Sequence, residues 1–137
     1  MQIKIKDKQI LKKPEQIAKI LQEILANEEK NDQLKEHCWV IGLNSINQIQ
    51  YLELVSLGIL NASLVHPREV FRLAIQKSAA QIIIAHNHPS GSLGPSEDDL
   101  TMTIRFKKAG ELLGIELIDH IIINQTSFIS LKEKKLL

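Results

Sequence analysis

Within the segment HNHPSGSLGPSEDD, residues 86–99, two histidines stand one residue apart, and a serine and an aspartate follow at positions 96 and 99. These residue types suit zinc, which takes neutral imidazole and carboxylate ligands; a catalytic zinc site uses three protein ligands and leaves the fourth position to water. His86, His88 and Asp99 supply such a set. In extended chain, side chains two apart point the same way, so both histidines can face one ion from the end of a strand at QIIIA. If a helix starts at Ser96, Asp99 lies one turn in and shares a pocket with it.

Each piece also has a plainer reading. PSEDD is a good helix start, with Ser96 as N-cap and Glu97, Asp98 and Asp99 favoured by the dipole of the first turn. HNHPSG is also a turn composition in which the histidines are incidental. The combined spacing, His-x-His, seven residues, Ser, two residues, Asp, is a long constraint for chance to satisfy.

Several elements must position these residues. QIKIKD alternates Ile3 and Ile5 with lysine, the pattern of a half-exposed strand at a sheet edge. From Pro14, a favourable first helical position, Ile17, Ile20, Leu21, Ile24 and Leu25 recur at helical spacing. HCWVIGL and IQYLELVSL, bridged by the turn-like NSINQ, predict a hairpin whose first strand is buried on both faces. ILNASLVHP is ambiguous. Pro67 can start a second helix with the apolar stripe Val70, Phe71, Ala74 and Ile75, ahead of the buried strand QIIIA. A third helix is expected from near Ser96 through Ile104, Ala109 and Leu113 to a stop at Gly114, followed by strands at IELIDHIII and SFISL and a solvated KEKK tail.

With no internal repeat or linker, these elements predict one α/β domain, a mixed sheet with helices packed against it. A chain of 137 residues, 44% of them hydrophobic, suits one compact core. Seventeen Lys and Arg against sixteen Asp and Glu give a net charge of +1, so no whole-protein field favours nucleic acid or an anionic membrane. The single cysteine, Cys38, excludes an internal disulfide and a Cys-rich structural zinc site, and fits a reducing cytoplasm. MQIKIKDKQI has no apolar signal region, and no window is apolar enough to span a bilayer, so a soluble protein without membrane partners is expected.

The spacing of His86, His88, Ser96 and Asp99 matches the signature of the JAMM metalloproteases, the MPN+ domain. More closely, LVHPREVFRLAI, IIIAHNHPSG, PSEDD and LLGIELIDHIII resemble the bacterial RadC family over roughly residues 33 to 124. On this reading residues 1–32 are a strand and helix lead-in and 33–137 the JAMM/MPN+ domain. Full-length RadC proteins typically carry an N-terminal helix-hairpin-helix segment, for which 137 residues leave no room, so a short stand-alone form is expected. The resemblance implies an MPN or cytidine-deaminase-like α/β fold and a zinc-dependent hydrolase with an unknown peptide or protein substrate. It also implies a general base, an acid at the start of a strand before the motif. EHCWVIGL fits and makes Glu36 the first choice, with Glu69 in HPREVF and Glu53 in YLELVSL as rivals. Glu69 could instead favour its helix dipole, and Glu53 could sit on the exposed face of its hairpin.

The implied chemistry is direct attack by water made acidic by zinc, with Glu36 moving the proton to the leaving amine and Ser96 helping to stabilise the charge on the carbonyl oxygen. A second reading is a DNA-repair or recombination factor acting on or near DNA, which the balanced charge does not support and which would require binding that weakens steeply with salt. A third is a non-catalytic binding module, which has no need of an open metal position. A zinc deaminase is excluded because its Pro-Cys-x-x-Cys pair cannot be built with one cysteine. His120, flanked by apolar residues, reads first as a hydrogen-bonded core histidine; a role beside the site or substrate stays open for it and for His66, and Asp119 could orient His120. Cys38 and Trp39 read as core.

Overall fold

Residues two apart in a strand share a face, and that parity divides the core of this protein in two. The computed structural model describes residues 1–5, 8–58 and 65–137. Strands β1 (Gln2–Ile3), β2 (Glu36–Leu43), β3 (Ile49–Gly58), β4 (Gln81–Asn87), β5 (Glu116–Ile123) and β6 (Phe128–Ser130) form one six-stranded sheet in the order β1-β3-β2-β4-β5-β6. β4 and β5 pair in parallel; the other neighbours are antiparallel. A parallel pair needs a crossover, and α4 (Glu97–Leu113) supplies it.

On one face, α1 (Pro14–Ala26) sets Ile17, Ala18 and Leu21 against Trp39 and Ile41 of β2, Ile83 and Ala85 of β4, and Ile121 and Ile123 of β5. On the other, α3 (Pro67–Gln76) and α4 pack Val70, Phe71, Ala74, Met102 and Phe106 against Cys38, Val40, Ile82, Ile84 and Leu117. Covered on both sides, β2 is buried from His37 to Leu43, as its unbroken apolar run predicts. The expected mixed α/β architecture is therefore present, with β1 at the edge where the lysine-flanked QIKIKD placed it.

Three helical positions depart from the pattern read in the sequence. The apolar stripe read for α3 includes Ile75, but Ile75 is exposed, one step past the buried Ala74. In α4, Ile104 and Leu113 are exposed; the buried face carries Asp99, Met102, Thr103, Phe106 and Gly110. A one-turn helix, α2 (Lys30–Gln33), lies between α1 and β2. Gly114 does end α4, in the left-handed conformation (φ 72°) that glycine adopts without penalty. The ambiguous ILNASL, residues 59–64, and Lys6 and Asp7 of QIKIKD lie outside the described residues. Among the described residues no helix is long and apolar enough to cross a membrane.

The hairpin of β2 and β3 carries a packing constraint. Gly42 pairs with Tyr51, whose ring fills the space a side chain would take: a Cβ at Gly42 would lie 1.9 Å from Tyr51 Cε1. Gly42→Ala should therefore cost about 1–3 kcal/mol, the usual range for overpacking a core. Urea denaturation reads this directly, and an unchanged midpoint would mean that the Tyr51 ring turns aside freely.

Candidate metal centre

Strand parity aims the first ligand. Ile82, Ile84 and His86 face the α3 and α4 layer, so the apolar run that builds β4 ends by delivering an imidazole to that layer. The chain then leaves the sheet. The His88 amide donates to Ile123 O (2.9 Å), and the Gly91 amide closes a turn on His88 O (3.0 Å). Asp99 arrives from the opposite direction, in the first turn of α4. There Ser96 caps the helix: its Oγ accepts from the Asp99 amide (3.0 Å), while Asp99 Oδ2 accepts from the Ser96 amide (2.8 Å). The helix-start reading of PSEDD and the ligand reading are thus both met by the same residues.

The three groups converge. His86 Nε2 lies 3.1 Å from Asp99 Oδ1, His88 Nε2 3.2 Å from Asp99 Oδ2, and the two Nε2 atoms are 2.9 Å apart. A tetrahedral zinc ion with bonds near 2.0–2.1 Å needs donors about 3.3 Å apart, so small side-chain adjustments suffice, and the donor set of two imidazoles and a carboxylate suits that ion. Exposure is graded across the cluster: His86 and Asp99 show 0% and 7% of their side chains and His88 15%, so it opens on one side. That side is a cleft of about 550 Å3 lined by Glu36, Gly58, His88, Ser90, Ser96 and Asp99, among others. His86, His88 and Asp99 could therefore hold a metal ion with a position left open.

Asp99 and His88 also shift one another's protonation. Burial alone would raise the Asp99 pKa, but hydrogen bonds from His86 and His88, the charge of His86 and the Ser96 amide together hold it well below the usual carboxylate range. His88 is raised above its ordinary value, first by its hydrogen bond to Asp99; burial opposes this, and the Ser92 carbonyl and the charges of Asp99 and Glu36 add to it. Cys38, paired with His86 across the sheet, is fully buried; burial and the nearby Asp99 charge push its thiol up to about 12. A protonated, enclosed thiol is a core residue rather than a ligand, as the sequence suggests.

The outer nitrogens of the histidines are also engaged. His88 Nδ1 donates to Ser92 O (2.8 Å). His86 Nδ1 is 2.7 Å from His120 Nε2, His120 Nδ1 is 2.5 Å from Thr103 Oγ1, and the Thr103 hydroxyl donates to Asp99 O (2.7 Å). Burial, and then the charge of His86, lower the His120 pKa well below its ordinary value. His120 is both the core histidine expected and a direct partner of His86. Asp119 does not orient that ring: it accepts the His120 amide (2.8 Å), the Ser130 hydroxyl (2.5 Å) and the Lys132 amide (3.1 Å), tying β5 to β6. His66 lies elsewhere, capping α3 by accepting the Arg68 amide (3.1 Å).

Of the three acids considered as general base, Glu36 lines the cleft. It opens β2, two residues before Cys38, the residue that pairs with His86. Its place is braced by residues that sequence reasoning did not single out. The His37 amide donates to Asn87 Oδ1 (2.6 Å), Asn87 Nδ2 donates to Lys35 O (3.1 Å), and the His37 ring stacks on Trp39 with its nitrogens near Lys35 O (2.9 Å) and Glu28 Oε2 (2.7 Å). Glu53 is not on an exposed face: it pairs with Val40, points into the α3 layer and is buried, which raises its pKa. Glu69 is exposed on the first turn of α3, 3.2 Å from Arg72.

The chain is similar to known proteins over most of its length. The profile of the family described as "RadC-like JAB domain" matches residues 11–136. A UPF0758 protein of Clostridium kluyveri is 52% identical over 114 residues, 83% of this chain and 50% of its own length. A UPF0758 protein of Listeria innocua is 55% identical over 100 residues, 73% of this chain and 45% of its own. A third, from Geobacillus kaustophilus, is 54% identical over 100 residues, covering 73% and 44%. The chain thus spans about half the length of the curated relatives it matches.

Proposed function

Because the chain belongs to the RadC-like JAB domain family, we propose that it is a zinc-dependent hydrolase of the JAMM type, acting on a peptide or isopeptide bond. The observation that carries this reading is the convergence of His86 Nε2, His88 Nε2 and the Asp99 carboxylate beside a cleft that Glu36 and Ser96 also line. Zinc bound there would supply Lewis acidity and make a water acidic near neutral pH.

The roles of the chain's own residues follow from their positions. Glu36, which lines the cleft together with His88, takes a proton from the attacking water as the C–O bond forms. It returns that proton to the departing amine as the C–N bond breaks, so no covalent link to the protein is needed. Ser96 Oγ already accepts the Asp99 amide, and its own proton can be donated to the carbonyl oxygen as negative charge grows there. The deep burial of His86 and Asp99 excludes water from the back of the cluster, which strengthens each of these interactions.

The test is metal-dependent cleavage. The protein, stripped with a chelator and then reloaded with zinc, is offered a library of peptides and isopeptide-linked peptides. Cleavage should be absent after stripping and return with zinc. Cleavage that survives stripping, or a zinc-loaded protein that cuts no member of the library, would contradict the reading.

A further inference from the structure

We propose that His120 and Thr103 are positioning residues that set the tautomer of His86 and so hold its Nε2 lone pair toward the metal. This deepens the metal-centre reading and rests on it. The argument starts from an atom whose role is fixed. Asp99 O is a carbonyl and only accepts, so at 2.7 Å the proton of the Thr103 hydroxyl is directed to it. Thr103 Oγ1 has no second proton. Facing His120 Nδ1 at 2.5 Å it must accept, and His120 Nδ1 must carry hydrogen.

A neutral imidazole protonated at Nδ1 has a bare Nε2. That atom lies 2.7 Å from His86 Nδ1, which therefore donates, so that in the neutral form of His86 that can bind a metal it is Nε2 that keeps the lone pair, on the side of His88 and Asp99. Every link is buried: His86 and His120 are fully enclosed and Thr103 nearly so, so no water can substitute for a missing partner. The relay also closes on itself. It begins at the backbone of Asp99 and ends on His86, whose Nε2 lies 3.1 Å from the carboxylate of the same Asp99. The helix turn that presents one ligand thereby dictates the protonation of another.

Other routes to the same end are absent among the described residues. His88 has its own outer partner, Ser92 O. The nearest carboxylate in sequence, Asp119, is occupied by backbone and by Ser130 on the opposite face of β5. Thr103 is four residues after Asp99 on one helix, the spacing at which its hydroxyl reaches back to that carbonyl.

The test compares Thr103→Val, which keeps the shape and removes the hydroxyl, with Thr103→Ser, which restores it. Zinc affinity is measured by competition with a chromophoric chelator, and long-range proton–nitrogen NMR reads which ring nitrogens carry hydrogen. Wild type should show hydrogen on Nδ1 of both His86 and His120, with His120 Nε2 bare. Thr103→Val should weaken zinc by roughly 10–100-fold, the usual loss for an outer partner of a ligand, and displace the His120 proton from Nδ1; Thr103→Ser should stay near wild type. Loss of packing alone would leave the tautomer unchanged. Should Thr103→Val not fold, His120→Gln, whose amide oxygen can still accept from His86, should bind zinc more tightly than His120→Leu. Unchanged zinc affinity in Thr103→Val, equal affinities in the His120 pair, or a wild-type His120 with its proton on Nε2 would overturn the proposal. If wild type takes up no zinc at all, the metal reading fails separately, and the ring tautomers of the metal-free protein still decide whether this relay sets them.

Discussion

Glu36→Gln is expected to lower turnover by about 10^2–10^4-fold while leaving zinc affinity unchanged, the range attributed to a positioned general acid–base. Glutamine keeps the size and the hydrogen-bonding reach of glutamate but cannot take a proton from water. Glu36 is not among the converging ligands, which are His86, His88 and Asp99, so the ion should remain. The brace of His37, Asn87 and Lys35 around the start of β2 should hold the substituted side chain in the same place. Zinc content and single-turnover cleavage, measured on the same preparation, separate the two effects. Glu53→Gln and Glu69→Gln are the controls. Glu53 faces the α3 layer and Glu69 pairs with Arg72, so neither should reduce cleavage comparably. A loss confined to either of them would transfer the role of base to that residue.

Asp99→Ala should have two separable consequences. It removes a ligand, so zinc affinity should fall by more than the 10–100-fold typical of an outer partner. It also removes the carboxylate that accepts the Ser96 amide at the head of α4, which should cost about 1 kcal/mol of stability, as caps do. Asp99→Asn separates the two: its side-chain oxygen can still accept the Ser96 amide, but the charge is gone, so the helix should hold while zinc is lost. Acid stability gives a further readout. The Asp99 carboxyl is held well below its ordinary pKa, so the stability it contributes is present above its unfolded value of about 3.9 and is lost as pH falls toward the depressed folded value. Asp99→Asn should remove that part of the pH dependence in zinc-free buffer. Acid unfolding identical to wild type would mean that the carboxylate is not paired as described.

Much of the centre is legible in the sequence because its geometry is local. His86 lies near the end of β4 and His88 follows just beyond the strand, and Ser96 and Asp99 share a helix turn, so each half of the site follows from its own short stretch of chain. The hairpin, the double-faced burial of β2 and the edge position of β1 follow from equally short patterns. What is not legible depends on pairings between elements. His120 and Thr103 are 17 residues apart and meet because β5 lies beneath α4; nothing in IDHIII or LTMTI announces a shared hydrogen bond. Glu53 reads as the outward residue of a hairpin until α3 is seen to cover that face. The face of α4 is misread for a reason tied to the site itself. Its buried side carries Asp99 and Thr103, so the polar groups of the candidate centre interrupt the apolar stripe and leave Ile104 and Leu113 as the conspicuous periodic residues, although they face outward.

The most direct test of the central claim is zinc stoichiometry with X-ray absorption on the purified, untagged protein, stripped and then titrated with zinc. The account predicts one zinc per chain, bound by imidazole nitrogen and oxygen with no sulfur, since Cys38 is buried and protonated. Failure to take up zinc, or a sulfur ligand at the bound ion, would contradict it.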